Sequence, residues 1–590
     1  MAQNHQQGFN VGQASFGHQT RKKNFCTAGV TREAICNIER LETVSGQVGV
    51  MFALPATGPF SEIHMSEACS EKVVSASCLS VALIDEPARP EDERRPFVHK
   101  FQTKRAKYVF DVNTRRIMKV SDAVWDVLDD YGTAGDEQII AKLEERYDQD
   151  SIRQALEQVR SAQEDGLLLA HRPDEVIPPS KKQIARRLEN QREQLILGVT
   201  ENCNFRCRYC VYGSNDPQQR PHSDKSMPWE IARAAIDAFL SQSKLSESRA
   251  MSFYGGEPLL NLPLIRQCVS YAQETFPDLP VNFSMTTNGS LLQDAAGDFL
   301  AEHEFIITVS LDGPQDIHDR NRLTQGGLPT WGQVMANLRA FLARHPQYKT
   351  NGRLRFNAVA TPAANLCQAQ EFFGGCDVFT DQMGMQVSPE KQTQETGALR
   401  AEDPLAVSAR KLQREFLERL SNGEFGDRHS CRSYWMQASL FQRPYLLFHK
   451  RKYVRPHLPT TLVYLNTCLP GQRRTFVDVA GNYYPCERVR LTDDQRIGNC
   501  FDGLSMDKVA GLLEQWNLSA GGQCRQCWCV SNCNVGCFAT VGDNGGLTAE
   551  AMAGACSVQR RELHDLLVSY CSILEENPSA FDYAAQMMIQ

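Results

Sequence analysis

The sequence predicts an α/β protein whose centre is a partial (β/α)6 barrel similar to an incomplete TIM barrel. Between residues 193 and 390, six strand-like segments alternate with helix-like segments. Such alternation requires parallel strands joined by right-handed crossovers. Polar and cysteine-containing motifs follow these strands, and the chemistry of a parallel barrel takes place at that edge of the sheet.

Each strand of the predicted barrel is a short run rich in apolar residues. The runs, in chain order, are QLILGVT, RAMSFYGG, VNFSMTTNG, FIITVSLDG, RLRFNAVAT and QMGMQVSP. Between them, apolar residues recur at helical spacing, for example in PWEIARAAIDAFLSQ and TWGQVMANLRAFLARH. The whole chain has 590 residues, so it has room for further domains on either side of the barrel.

The rest of the chain divides by composition and periodicity. Residues 97–172 combine short strands with helical patterns, which predicts an N-terminal α+β module similar to a winged helix. From 461 to 575, cysteine and glycine accompany short elements, as in a domain built around metals. The remaining predictions are a poorly ordered or unassigned extension at 1–95, a linker at 173–192, a helical bridge at 391–460 and a C-terminal tail at 576–590.

The charge and hydropathy of the chain argue against several classes of protein. Its net charge is −7, so no overall basic field indicates a nucleic-acid partner. No apolar run is long enough to span a bilayer, and we expect no membrane partner. The N-terminal sequence MAQNHQQGFNVGQ is polar and lacks the apolar segment of a signal peptide. We therefore expect a cytoplasmic protein.

Cysteine is the residue whose abundance is unusual. The chain contains 21 cysteines without an export signal, and thiols in a reducing compartment rarely form structural disulfides. Their spacing indicates metal ligation instead. Some cysteines stand singly among apolar residues and are expected to be small buried hydrophobic side chains, namely Cys268, Cys367 and Cys376. The four cysteines of the N-terminal extension, Cys26, Cys36, Cys69 and Cys78, have no metal-site spacing.

The first cysteine motif, ENCNFRCRYC, follows the first barrel strand. It places Cys203, Cys207 and Cys210 at the spacing Cys-x3-Cys-x2-Cys, which can wrap three thiolates around one cubane iron–sulfur cluster. Most such clusters take four thiolates, so three leave one iron open to a ligand that offers an amino and a carboxylate group. Three cysteines alone could also bind zinc.

Three further motifs stand at the ends of the following strands, and a fourth comes shortly after the third. They are GGEP with Gly255, Gly256 and Glu257, TTNG with Asn288, VSLDGP with Ser310, and HDRNR with Arg322. In this order the motifs resemble those of the radical SAM superfamily. The resemblance implies that a [4Fe–4S] cluster on Cys203, Cys207 and Cys210 binds and cleaves S-adenosylmethionine (SAM). It also implies contacts to SAM from Tyr209 at the adenine, Gly255, Gly256 and Glu257 at the methionine amino group, Asn288 as a polar contact, Ser310 at the ribose and Arg322 near the carboxylate.

The second set of cysteines lies in the C-terminal region. It reads Cys468-x12-Gly481-x4-Cys486, then Cys524-x2-Cys527-x5-Cys533-x3-Cys537, then Cys556, and resembles a SPASM domain. The resemblance implies two auxiliary [4Fe–4S] clusters. Their ligands would be Cys524, Cys527, Cys533 and Cys556 for the outer cluster, and Cys468, Cys486 and Cys537 for the inner cluster. The inner cluster is one ligand short, which leaves Cys529, Cys431, Cys500 or an open iron site as alternatives.

The function implied by these resemblances is the modification of a peptide. CLPGQRRTFVDVAGNYYPCERV and CRQCWCVSNC look most like maturases of cysteine-rich ribosomal peptides of the sactipeptide and ranthipeptide type, which form thioether crosslinks. In the implied mechanism, a 5′-deoxyadenosyl radical removes a hydrogen from an acceptor residue, and a substrate thiolate bonds that carbon. The 97–172 module resembles the recognition element of such enzymes and could take a leader peptide as an added strand. An external reductant such as flavodoxin or ferredoxin is implied.

Other functions stay open on the sequence. The nearest are a sulfatase maturase that generates formylglycine and a maturase that forms carbon–carbon crosslinks. A different class would be a non-enzymatic iron–sulfur protein or a zinc-dependent DNA-binding protein, which the basic segment HKFQTKRAK keeps open. That class leaves the GGEP and SLDGP motifs unexplained.

Overall fold

The structure is a computed structural model of the 590-residue chain. It describes residues 38–42, 48–52, 93–213, 220, 222–390, 399–425, 432–451, 457–463, 468–533, 535–541 and 547–586. Most of the predicted extension at 1–95 therefore lies outside the described residues, as do its four cysteines and Cys431.

The described strands form four sheets. In chain order they are β1 (Ile38–Glu42), β2 (Val48–Phe52), β3 (Val98–Gln102), β4 (Lys107–Asp111), β5 (Ile117–Val120), β6 (Glu175–Ile177), β7 (Gln194–Thr200), β8 (Ala250–Gly255), β9 (Asn282–Thr287), β10 (Ile306–Ser310), β11 (Leu354–Ala360), β12 (Gly384–Pro389), β13 (Thr461–Val463), β14 (Thr475–Val477), β15 (Asn482–Tyr484), β16 (Gly498–Asn499) and β17 (Gly503–Leu504).

The barrel core consists of β7 to β12, which pair in parallel in sequence order. All six predicted strands are present. The first five each bury several residues, in keeping with their apolar runs, whereas β12 buries only Val387. The helices of this region are Trp229–Ser241, Leu262–Thr275, Asp294–Glu302, Gln315–Asn321, Trp331–Arg344 and Leu366–Gly375. The predicted large parallel sheet of an α/β fold is confirmed.

The main sheet continues beyond the barrel. Its order is β12-β11-β10-β9-β8-β7-β14-β15-β16-β17, with β14 parallel to β7 and the last three pairs antiparallel. The predicted cysteine-rich domain at 461–575 is thus joined to the barrel by backbone hydrogen bonds rather than by a linker alone. Its helices are Met506–Cys524, Phe538–Val541 and Ala549–Glu576. The last helix begins at Ala549, where Thr548 caps its N-terminus by accepting from the Ala551 amide at 3.2 Å.

The N-terminal module has its own sheet and its own core. Strands β3, β4 and β5 form an antiparallel sheet, and helices Asp122–Val127, Asp136–Leu143 and Gln149–Glu164 follow it. The apolar face of the third helix packs on this sheet through residues such as Ile152 and Leu156. The hairpin β1–β2 lies beside β5 without pairing with it. The likeness of this module to a winged helix stays a prediction.

The segments that connect these parts are structured where the structure describes them. The predicted linker at 173–192 contains β6, which pairs with β13, and helix Lys181–Leu188. The sequence missed both because they are short. The predicted bridge at 391–460 is helical, with Pro404–Ser421 and Arg443–His449 as its longer helices. Among the described helices, none has the length and apolar character needed to cross a membrane.

The N-terminal module packs directly on the last helix and on the second cysteine set. The His99 ring of β3 stacks on Trp528 with 3.5 Å between centroids, and its Nε2 lies 2.9 Å from Nδ1 of His564. The Tyr108 hydroxyl of β4 donates to the Glu575 carboxylate at 2.9 Å. Burial, together with the neighbouring His564, lowers the pKa of His99 to about 3.

Acid should weaken this contact. The unfolded chain takes up a proton on His99 as the pH falls below 6.5, whereas the folded chain stays neutral down to about pH 3. Stability is therefore lost as the pH falls through this window, by at most about 1.4 kcal/mol per pH unit. The variant His99→Phe keeps an aromatic ring and cannot titrate. We expect its melting temperature to fall less than that of the wild type between pH 7.5 and pH 5.5; an equal fall would show that His99 does not carry the acid sensitivity.

Candidate functional site

The first three cysteines lie on the loop that follows β7. Cys203 is buried, with 8% of its surface exposed, while Cys207 and Cys210 are half-buried; all three are free thiols. The backbone amides of Phe205 and Tyr212 each donate to a thiol sulfur at 3.4 Å, to Cys203 and Cys210 respectively. The loop therefore turns its amides toward its own sulfur atoms.

These thiols are costly to ionise without a bound cation. Burial raises the pKa of Cys203 to about 12, and the charges of Cys207 and Cys210 add to this effect. Burial also raises the pKa of Cys207 to about 11, although Arg322 opposes the shift. Three thiols that raise one another's pKa lie close together, and coordination to a metal removes that cost because the metal replaces the protons.

The glycine pair of the GGEP motif makes room for the cysteine loop. A side chain on Gly256 would place its Cβ 2.1 Å from the carbonyl oxygen of Asn202, and one on Gly255 would place it 2.2 Å from that of Thr200. Gly255 also has φ +138°, which disfavours other residues. The Glu257 amide then donates to the Asn202 oxygen at 2.8 Å. In this structure the pair packs against the loop that carries Cys203.

Glu257 fixes the turn that follows β9. Its carboxylate accepts from the Thr287 hydroxyl at 2.8 Å and from the Asn288 amide at 2.7 Å, and burial raises its pKa to about 7. The Asn288 side chain in turn donates to Oδ1 of Asn204 at 2.8 Å. Asn288 thus reaches back to the cysteine loop, and its amide also lies 3.9 Å from the sulfur of Cys203.

Asp312 is a buried acid of the SLDGP motif that the sequence analysis did not single out. It accepts from Arg322 Nη2 at 3.0 Å, from the Val359 amide at 2.9 Å and from the Tyr209 hydroxyl. The Arg322 guanidinium also lies over the Tyr209 ring, 5.3 Å from its centroid. Asp312 therefore holds two of the predicted SAM contacts, and Ser310 is buried at the end of the same strand, β10.

The four cysteines predicted for the outer cluster line one small cavity that is partly open to solvent. The lining residues are Gln523, Cys524, Cys527, Val530, Cys533, Cys556 and Arg560. The cysteines come from the end of one helix, the loop after it and the last helix. Spacing in the sequence indicated this set, and the fold brings its members together.

Cys529 lies beside the outer set rather than in the inner one. It is buried with 1% of its surface exposed, and a hydrogen bond from its thiol lowers the pKa of Cys527 to about 6. Cys500 is also buried, behind Gly481, where an added Cβ would lie 2.7 Å from its sulfur. The glycine of the Cys-x12-Gly-x4-Cys motif is thus required by Cys500 and by its φ of +87°.

Of the inner set, the structure brings two cysteines near each other. Burial raises the pKa of Cys486 to about 12, and the charge of Cys537 contributes to the shift. Cys486 follows β15, and Cys537 is exposed. Cys468 is exposed too and stands next to residues 464–467, which are outside the described part.

Within the described part of the chain, no three His, Cys, Asp or Glu side chains converge at the distances of a single bound metal ion. A cubane cluster is a larger group whose thiolates each bind a different iron atom. The cysteine sets therefore have to be judged by their donor chemistry and not by single-ion geometry.

Comparison with known families decides the identity of the barrel. Residues 197–351 match the family model described as the radical SAM superfamily. These residues form a radical SAM domain. The prediction drawn from the strand-end motifs is confirmed for this domain, which contains Cys203 and Arg322 and every motif between them. Since the superfamily consists of enzymes, this match also supports the prediction that the chain is an enzyme.

The curated relatives match short stretches of this chain. A cysteine-type anaerobic sulfatase-maturating enzyme of Clostridium perfringens is 30% identical over 181 residues, which are 30% of this chain and 47% of the relative. A serine-type enzyme of Bacteroides thetaiotaomicron is 26% identical over 23% of this chain and 33% of its own length. The radical SAM cyclopropyl synthase TigE of Paramaledivibacter caminithermalis is 25% identical over 28% of this chain and 34% of its length. The chain spans less than half the length of each of these relatives.

Solved structures cover more of the chain at lower identity. The structure anSMEcpe with bound AdoMet is 18% identical over 67% of this chain and 96% of that chain, with a TM-score of 0.44. SuiB of Streptococcus suis bound to its precursor peptide SuiA is 11% identical over 76% of this chain and 96% of that chain, with a TM-score of 0.36.

The residues of the radical SAM domain fit the cofactors that the superfamily implies, a [4Fe–4S] cluster and SAM. Three close thiols on one loop are the donor set that leaves an iron open. The Arg322 Nε is buried and has no hydrogen-bond partner among the described residues, so it can donate to an anionic group of a ligand. The domain therefore supplies both the sulfur ligands and a free cationic donor beside them.

Sequence reasoning missed two residues of these sites. Asp312 belongs to the SLDGP motif, and an acid that directly follows a barrel strand is a sequence signal for a site residue. Arg560 stands four residues after Cys556, a spacing that places both on one face of a helix. In the structure both residues lie on the helix Ala549–Glu576.

The carboxylate of Glu257 should matter to SAM binding through the turn that it holds. In Glu257→Gln, one carboxylate oxygen becomes an NH2 group, which cannot accept from the Asn288 amide or the Thr287 hydroxyl. Leaving one buried donor unpaired costs about 1–3 kcal/mol. We expect SAM affinity, measured by calorimetry at matched iron content, to fall about tenfold. The exposed control Glu230→Gln should bind SAM as the wild type does, and equal affinity in both variants would contradict this role for Glu257.

Proposed function

We propose that this chain is a radical SAM enzyme that modifies a ribosomally made peptide. The observation that carries the proposal is the site of the radical SAM domain, where three close thiols, a buried unpaired Arg322 nitrogen and the strand-end motifs meet at one edge of the sheet. The reaction class follows from the domain, and the substrate class from the parts of the chain around it.

At the barrel site, the roles of the residues follow from their contacts. Cys203, Cys207 and Cys210 would hold the cluster, and SAM would occupy its open iron. When bound, the cluster would supply the electron that breaks the sulfonium bond of SAM. Arg322 would donate to the SAM carboxylate through Nε while Asp312 fixes the guanidinium plane. The remaining task of the chain is to orient the substrate and to exclude water.

The N-terminal module supports a peptide as the substrate. Its strand β5 pairs with β4 on one side, and no other described strand pairs with its second side, although the β1–β2 hairpin lies beside β5. An unpaired strand edge can bind an extended peptide through backbone hydrogen bonds, and here the peptide would bind next to that hairpin or in its place. The module packs on the second cysteine set through His99 and Trp528. A leader peptide bound to β5 would therefore keep the rest of the peptide near the cysteine sites of the same molecule.

Thioether formation is the finer proposal. Cys529 lies with the outer set and Cys500 behind Gly481, so neither position favours a fourth ligand for the inner set of Cys468, Cys486 and Cys537. This supports an open iron there, where a substrate thiolate could bind because clusters favour soft sulfur ligands. Joining that sulfur to a carbon passes one hydrogen atom from the carbon to the 5′-deoxyadenosyl radical, releases the proton of the thiol and leaves one electron for a cluster to accept.

Formylglycine formation in a sulfatase is the second candidate. The support for it is the activity named for two of the curated relatives, which are sulfatase-maturating enzymes. Those matches cover less than a third of this chain and less than half of each relative, so they support shared radical chemistry more than a shared substrate.

Radical chemistry itself is tested by removing the three thiols of the first loop. The variant Cys203→Ala/Cys207→Ala/Cys210→Ala should lose about four iron atoms per chain and form no 5′-deoxyadenosine from SAM under anaerobic reduction. The control Cys376→Ala removes a half-buried thiol of a barrel helix end and should keep both. Formation of 5′-deoxyadenosine by the triple variant would overturn the proposal.

The product of the same incubations separates the two candidates. With a precursor peptide encoded beside this gene, thioether formation removes one alkylatable thiol but keeps its sulfur in the peptide mass. Formylglycine formation from cysteine removes the sulfur. Loss of sulfur, or action on a sulfatase peptide alone, would replace the thioether proposal by the second candidate.

The role of β5 is tested by prolines at its exposed end. Adjacent amides of a strand point to opposite sides, so either Lys119 or Val120 directs its N–H to the free edge. One of the variants Lys119→Pro and Val120→Pro therefore removes an N–H that points outward. We expect that variant to bind a labelled precursor peptide at least tenfold more weakly and to keep 5′-deoxyadenosine formation. Lys119→Ala changes only an exposed side chain and should bind normally. Normal binding in both proline variants would exclude this edge.

A further inference from the structure

The cavity of the outer cysteines contains one cationic side chain. Arg560 lines it together with Cys524, Cys527, Cys533 and Cys556. Arg560 is half-buried, and its position on the last helix is one turn beyond Cys556. The helix therefore directs an arginine and a thiol toward the same space.

The guanidinium of Arg560 contacts the thiols and not an acid. It lines the same cavity as Cys527 and Cys556, and the charges of these two thiols raise its pKa against the effect of burial. Within the described part of the chain, no carboxylate forms an ion pair with Arg560. Its charge is therefore directed at the cysteine set and is not shared with an acid, in contrast to Arg322, which pairs with Asp312.

A fixed positive charge at this place favours an added electron. A cluster held by four thiolates is anionic, and each one-electron reduction increases its negative charge. The reduction potential of such clusters depends on net charge and on hydrogen bonds to the sulfur atoms. Arginine stays charged at every relevant pH and offers several donors in a rigid plane. Both effects of Arg560 act in the same direction, because both stabilise the reduced form.

We propose that Arg560 donates to the Cys527 sulfur and raises the reduction potential of the cluster held by Cys524, Cys527, Cys533 and Cys556. This inference rests on the auxiliary cluster of the proposed function and extends it by naming the residue that tunes the cluster. In this arrangement the outer site is an electron acceptor whose strength is set by one side chain.

The test compares potentials in the full chain with reconstituted clusters. Redox titration followed by electron paramagnetic resonance gives the potential of each cluster, and the outer one is the signal lost in Cys556→Ala. In Arg560→Gln the ratio of reduced to oxidised outer cluster at a fixed potential should fall about tenfold, which is 59 mV for a one-electron couple. In Arg560→Lys, which keeps the charge without the planar donors, it should fall roughly threefold.

A neighbouring arginine provides the matched control. Arg561→Gln removes the same charge from the next position of the helix, which does not line the cavity, and should leave the potential unchanged. The inference is wrong if an Arg560 variant, either Arg560→Gln or Arg560→Lys, retains its iron and has the potential of the wild type. If the wild type and Cys556→Ala contain the same amount of iron, the outer cluster of the proposed function is itself wrong. Failure of the proposed function is therefore seen in the iron content, whereas failure of this inference is seen in the potential of a cluster that is present.

Discussion

The parallel pairing of β7 with β14 is the contact on which the rest of the molecule depends. Three residues of each strand face one another, and the pairing is possible because Gly198 has no side chain: a Cβ there would lie 2.8 Å from the Phe476 ring. The fully buried Arg192 secures the start of the ladder by donating to the Gly471 oxygen at 3.3 Å and to the Thr475 hydroxyl at 2.9 Å. Leaving these buried groups unpaired would cost more than the bonds themselves provide, so the ladder is strongly specified.

This ladder sets the relation between the two cysteine regions. Strand β7 leads into the Cys203 loop, while β14 and β15 lead to Cys486, so both regions extend from one sheet. Arg220 strengthens the link because its guanidinium contacts the Tyr212 hydroxyl beside the first loop and the backbone oxygen of Glu487. The N-terminal module adds a third contact through its stack on Trp528. The chain therefore holds its cysteine sites in one framework instead of on tethered domains.

Local features of this molecule could be predicted from the sequence, whereas its long-range contacts could not. The six barrel strands and the grouping of the outer cysteines follow from periodicity and spacing, which are local signals. The β7–β14 ladder joins Leu195 to Thr475. No local sequence pattern indicates with which strand of the sheet a segment of two or three residues will pair. Cys529 was open to several roles because spacing does not show which side of a turn a thiol faces. The pairing of Arg322 with Asp312 likewise depends on two elements that meet only in the fold.

The arginines at the barrel site and at the outer cysteine site differ in a way that bears on electron flow. At the barrel site, the charge of Arg322 is largely balanced by Asp312, and the two act oppositely on the pKa of Cys207. At the outer site, Arg560 acts on Cys527 without a described acid beside it. A balanced pair stabilises a reduced cluster less than an unbalanced cation does, so in the proposed enzyme the barrel cluster would be the stronger electron donor. The proposed chemistry needs this order, since SAM cleavage requires a strong reductant while bond formation on the peptide releases an electron that a better acceptor must take.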